Sequence, residues 1–272
     1  MSASRSWSFE LAIGGRFIGD SVSGPLCRAP LFNRVGQGGT AVRKISPEGV
    51  RDDFRQQLAD LITFHNTGFA DFSTDADQST LTEHSLLASA VTWEGFVSDM
   101  FIAYINRDAT RFKQHLQDSF DAHLKAAAKP KRVFDSFGKI AFPRHLKKAD
   151  VQALADNVGN NITFPNFSEL EQRANIWLVP AHAAKFTAST AQQKAIVDAV
   201  IALRNHIAHR SERSLDAMND ALAAGALNPT GIQRGANRFH NVGAWLKAKP
   251  VGLQHNRFEL IMSGLDGIGA TF

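Results

Sequence analysis

A single cysteine, Cys27, stands in the 272 residues, which excludes an internal disulfide framework and a cysteine-based zinc site and suggests a reducing compartment. No uninterrupted apolar run approaches the length of a bilayer span. The opening MSASRSWSFELAIGG lacks the basic-then-apolar layout of a secretory signal, so the expectation is a soluble, cytoplasmic protein. There is no internal repeat and no phosphate loop. GQGGT at 36–40 has neither a following Lys-Ser/Thr nor a preceding strand, and its glycines read as turns or flexible chain. No Ser, Thr or Cys stands in a nucleophile-elbow or Cys–His context, which argues against covalent catalysis. Neither sign of charge dominates. The net charge of +4 permits a polyanionic partner without demanding one.

What is present is apolar periodicity. A hydrophobic fraction of 44% supplies a core for one large domain, or for one domain with extensions. Residues 1–47 are rich in Gly and Ser, and short alternating pieces at Phe9–Ile13 and Arg16–Ile18 can pair as a hairpin. From Pro47 the pattern turns helical: Phe54, Leu58, Leu61, Ile62 and His65 recur at helical spacing until Asn66 and Gly68. A long helix is predicted over 81–107, a third over 109–128 up to Pro130, and shorter ones over 146–158 and 167–178. The clearest helix runs from 190 to 210, followed by weaker pieces at 213–223, 234–248 and 250–262. The expected fold is mainly α: an up-down helical bundle over 48–212, flanked by an N-terminal extension 1–47 and a C-terminal helical extension 213–272.

Two charges interrupt otherwise apolar helix faces. At about 100° per residue, Ile196, Val197, Val200, Ile201, Leu203 and Ile207 share one face, with Arg204 near its middle. On the long helix, Leu87, Ala90, Val91, Val97, Phe101 and Ile105 share a face, with Glu94 near its middle. A lone buried charge is costly, so opposite charges in these places imply that the two helices meet and that Glu94 pairs with Arg204. The pair is either purely structural or part of a polar pocket between helices. In the first case, removing Arg204 alone would cost about 3–5 kcal/mol. Asp198, Ala202, Asn205 and His209 lie on the adjoining strip. Asn205 and His209, four apart, stack one turn above another near the helix C-terminus, where the dipole favours positive charge. An arginine for a phosphate, a histidine for proton transfer and an amide to orient them suit phosphodiester chemistry.

The segment ALRNHIAHRS (202–211) resembles the motif of HEPN domains, in which an Arg, a polar residue and then a His after four intervening residues end a helix of a four-helix bundle. Arg204, Asn205 and His209 fill those positions. The upstream helix SLLASAVTWEGFVSDMFIAYINRD, which carries Glu94, looks like the partner helix of the subgroup named RiboL-PSP or of a closely related one. The resemblance covers about residues 50–212. It implies a homodimer whose motif helices meet in a composite site. It also implies a metal-independent ribonuclease of toxin, phage-defence or stress-response systems, in which the 2′-hydroxyl attacks and 2′,3′-cyclic phosphate and 5′-hydroxyl ends result. In that scheme His209 is the general acid/base and Arg204 stabilises the charge on phosphorus. Asn205 positions His209 or the phosphate, and Glu94 holds Arg204. One subgroup carries a tyrosine two residues past the His as a target for adenylylation; this chain has Ser211 there, so the resemblance does not extend to that modification.

Residues 125–148 collect Lys125, Lys129, Lys131, Arg132, Lys139, Arg144, Lys147 and Lys148, interleaved with Phe134, Phe137 and Phe142. The pattern suits single-stranded RNA through phosphate neutralisation and base stacking, with Lys129, Lys131, Arg132, Arg144, Lys147 and Lys148 as the contacts. It equally suits a solvated basic loop anchored by its phenylalanines. His206 and His209 are three apart, but spacing suggests no third ligand, so no metal and no cofactor are expected. His182, His240 and His255 are isolated. The competing functional readings are a catalytically silent HEPN module that binds RNA, a nucleotide or a protein partner, and a structural bundle in which Glu94–Arg204 is a core pair. An antitoxin or other regulatory partner is compatible with the ribonuclease reading.

Overall fold

In the computed structural model every regular element among the described residues is helical; these are 45–125, 132, 134–136, 138, 140–155 and 162–272. The predicted N-terminal hairpin, Lys129, Lys131, Phe137 and Lys139 lie outside them. Helix α1 (Pro47–Asp71) starts where Ser46 accepts the Gly49 N–H and Pro47 takes the first turn, whose N–H groups have no helical partner. It does not stop at Asn66 and Gly68. Gly68 is a point of close packing, because a Cβ there would stand 3.0 Å from the Leu81 side chain of the next helix. Helix α2 (Asp75–Arg107) begins six residues before the predicted start. The polar residues 74–80 are its N-cap and first turns: Thr74 accepts the Asp77 N–H, and Asp75 and Asp77 complement the dipole.

The short link between α1 and α2 makes them antiparallel, and Arg107 at the end of α2 pairs with Glu48 at the start of α1. Phe54 of α1 stacks on Phe96 of α2, with centroids 4.1 Å apart. The buried side of α2 is Leu86, Ala90, Trp93, Phe96, Val97, Met100, Phe101 and Tyr104, whereas Val91, expected in the core, is exposed. By length and composition α2 is apolar enough to cross a membrane, but 61% of its most apolar window is buried inside the fold. The helix is central in the bundle, which accounts for that apolarity.

Then follow α3 (Thr110–Lys125), α4 (Lys148–Ala155), α5 (Phe167–Trp177), α6 (Pro180–Thr187, not anticipated), α7 (Ala191–His209) and α8 (Glu212–Leu222). A 3₁₀ turn (Gly225–Thr230) leads to α9 (Val242–Lys247) and α10 (Arg257–Gly269). The predicted pieces 234–248 and 250–262 are therefore displaced. Residues 234–241 are not helical, and the last helix starts only at Arg257, where Asn256 and Glu259 form a reciprocal capping box. Residues 213–272 share the core: Phe258, Ile261, Met262 and Leu265 are fully buried, and the Tyr104 hydroxyl donates to the Phe272 carbonyl at 3.2 Å.

Candidate active site at the end of α7

Helix α7 is tightly specified at its start. Thr190 accepts the Gln193 N–H while the Gln193 side chain accepts the Thr190 N–H. Ile196, Val197, Val200, Leu203 and Ile207 bury one face against α2 and α10. Arg204 and Asn205 emerge half-buried at the edge of that face, and His209, the last residue of the helix, is exposed. The helix closes on Arg210, whose φ of 49 places it in the left-handed region that ends helices. Ser211 then caps α8 by accepting the Ser214 N–H, so it serves the corner between the helices.

The structure brings Arg204 and Glu94 together as the wheel implied, but at the rim of the packing rather than at its centre. Arg204 Nε lies 3.6 Å from Glu94 Oε1, and the two side chains are 31% and 24% exposed. That separation is a charge–charge contact and too long for a hydrogen bond, so Nε is buried without a hydrogen-bond acceptor. Arg204 Nη1 donates to Asn205 Oδ1 at 3.0 Å, so the amide orients the guanidinium. The His209 imidazole has no hydrogen-bond partner among the described residues of its own chain. One chain thus presents an arginine held by a carboxylate and an amide, beside an exposed, unoriented imidazole.

The other polar groups of α7 turn elsewhere. Asp198 accepts the Phe167 N–H at 2.7 Å and so joins the N-terminus of α5 to α7. Burial pushes its carboxyl above the usual range, opposed by that hydrogen bond, with Glu171 adding to the upward push. His206 is buried, with Nδ1 3.2 Å from Ser214 Oγ; burial lowers its pKa first, Arg210 and His240 add to the lowering, and Glu83 opposes it. His206 and His209 therefore face different surroundings. Among the described residues no cluster of three His, Cys, Asp or Glu could hold a metal. His182 stacks on Tyr104, His255 pairs with Glu259, and His240 is exposed.

The basic segment contributes Arg132, Arg144, Lys147 and Lys148, all exposed. Its aromatics do not all offer stacking faces: Phe134 packs edge-on against Phe120 and Phe142 is half-buried. Two residues beside the end of α7 went unnoticed in the sequence. Arg210 pairs with Glu83 of α2, and Glu83 also accepts the Gly243 N–H at 2.9 Å. The available signal was spacing, since Glu83 lies eleven residues before Glu94, about three turns along the same side of α2.

No curated protein and no solved structure matches the chain. The family model described as RiboL-PSP-HEPN matches residues 52–225, from the first turns of α1 through α8 and including Glu94, Arg204, Asn205 and His209. With more than half of its length matched and an all-helical fold around the motif, the chain belongs to the RiboL-PSP-HEPN family.

Proposed function

We propose that this protein is a metal-independent RNA endonuclease, acting in the cytoplasm as a homodimer in a toxin, phage-defence or stress-response role. One observation carries the reading. Arg204 and its partner Asn205 lie within the last turns of α7 and His209 ends that helix, with the imidazole exposed and without a partner among the described residues. A second copy meeting α7 end against end would place two arginines and two histidines around one phosphodiester, one imidazole as base and the other as acid. The base removes the proton of the 2′-hydroxyl, whose oxygen attacks the adjacent phosphorus. The P–O5′ bond breaks, and the acid protonates the leaving oxygen. A 2′,3′-cyclic phosphate and a 5′-hydroxyl result. Arg204, steadied by Asn205 and Glu94, neutralises charge building on the non-bridging oxygens.

The test is cleavage of labelled total RNA and tRNA in excess EDTA by wild type and His209→Ala. Wild type is expected to cut and leave cyclic-phosphate ends, whereas His209→Ala falls by at least about 100-fold. Analytical ultracentrifugation is expected to give twice the 29.7 kDa chain mass. Equal cleavage by both proteins would exclude the mechanism. Absence of cleavage together with RNA binding would favour the silent binding module.

A further inference from the structure

His209 is the last residue of a helix, where backbone order is lowest by default. An acid/base group is useful only if held within about 0.5 Å of its working place. The residue after it, Arg210, adopts a left-handed backbone that side chains other than glycine rarely take. Its guanidinium is paired with Glu83 Oε2. The other Glu83 oxygen accepts the Gly243 N–H at 2.9 Å, and the Glu83 side chain is only 13% exposed. Gly243 approaches α2 so closely that a Cβ would stand 2.5 Å from the Ser79 carbonyl oxygen. The chain leading to Gly243 is stapled to α8: Arg234 donates to the Asn219 carbonyl at 2.6 Å, and Asn219 exchanges hydrogen bonds with the Phe239 backbone at 3.3 and 3.2 Å. Beyond it, Lys247 pairs with Asp75 at 2.6 Å.

A mere surface ion pair would join two elements. Here one shielded carboxylate joins α2, the corner between α7 and α8, and α9, and both of its oxygens are used. The segment 231–247 lies beyond the family match, which ends at 225. We infer that Glu83 is a positioning residue for His209, through which the C-terminal segment 231–247 holds the catalytic helix end in its working conformation. This rests on the reading of Arg204, Asn205 and His209 as a ribonuclease site.

Two measurements on the full chain test it. Glu83→Gln keeps an acceptor for Gly243 but removes the charge that holds Arg210. Hydrogen exchange of amides 205–211 is expected to speed by about tenfold or more, with α1 amides unchanged. RNA cleavage is expected to lose about tenfold or more in kcat, with KM within about twofold. Arg210→Lys should recover most of the kcat lost in Arg210→Ala, and Gly243→Ala should reproduce the faster exchange. Unchanged exchange in Glu83→Gln overturns the assignment whatever the catalysis. Faster exchange with unchanged kcat shows a structural clamp and overturns the positioning role. If His209→Ala cuts as wild type does, the ribonuclease reading fails instead, and the exchange result alone decides whether Glu83 orders the helix end.

Discussion

Arg204 keeps a third of its side chain in solvent, and this changes what the Glu94 pair is worth. Helix-wheel reasoning found the right partners, because opposite charges on facing apolar stripes have little else to do. It placed them too deep, because a wheel gives an angle and not the distance to the edge of the packing. At 3.6 Å, with both groups part-exposed, the attraction is screened and the desolvation penalty is small. A double-mutant cycle with Arg204→Ala and Glu94→Ala, followed by urea unfolding, is therefore expected to give a coupling of no more than about 1 kcal/mol. A loss of about 3–5 kcal/mol from Arg204→Ala alone would instead mark a core pair and weaken the case for a site. Asn205 and His209 were legible as a one-turn pair. Glu83 was missed despite its place three turns before Glu94, since its partner Arg210, read as the last helical residue, leaves the helix in a left-handed turn that a wheel does not describe.

Helix identity was largely readable from apolar period, while helix ends were readable only where a cap was recognised. Pro47 after Ser46 marked the start of α1, whereas the capping Thr74 was hidden in a stretch rich in Asp and Ser that reads as a linker. Gly68 read as a terminator because its contact with Leu81 of the next helix is invisible in one dimension. Asp198 is a similar case: it looked like part of the catalytic strip and instead caps a different element, α5. Its folded pKa is raised by burial, so between the unfolded and folded values the native state binds more protons. Stability then falls as pH rises through that window. Asp198→Asn keeps an acceptor for Phe167 without the desolvated charge. Urea unfolding is expected to show it at least as stable as wild type at pH 7, with any advantage fading as pH falls through that same acid window. Asp198→Ala loses the acceptor and is expected to cost about 1 kcal/mol at either pH. If Asp198→Asn were instead the less stable of the two at pH 7, an unrecognised cation would have to face the carboxylate.

For the molecule as a whole, the net charge of +4 is too small to steer RNA unless it is concentrated. The segment 140–148 offers such a concentration on a fixed backbone. The Lys113 ammonium donates to the carbonyls of Pro143 and Arg144 at 2.6 and 3.1 Å, and the Lys147 N–H donates to Asp150 at 3.0 Å. Lys148 is partly spent on Asp99, 3.4 Å away, which leaves exposed Arg144 and Lys147 as the better phosphate contacts. With Phe134 committed to Phe120, binding here would be electrostatic more than stacked, and so strongly salt-dependent. Anisotropy with a labelled single-stranded RNA, using His209→Ala to prevent cleavage, is the direct measurement. Adding Arg144→Ala and Lys147→Ala together is expected to weaken binding and to reduce the slope of log affinity against log salt by about 1.4, since each lost phosphate contact accounts for about 0.7 on a single strand. A weaker affinity with an unchanged slope would mean that the two side chains act through local structure, and unchanged affinity and slope would leave the segment as solvated surface.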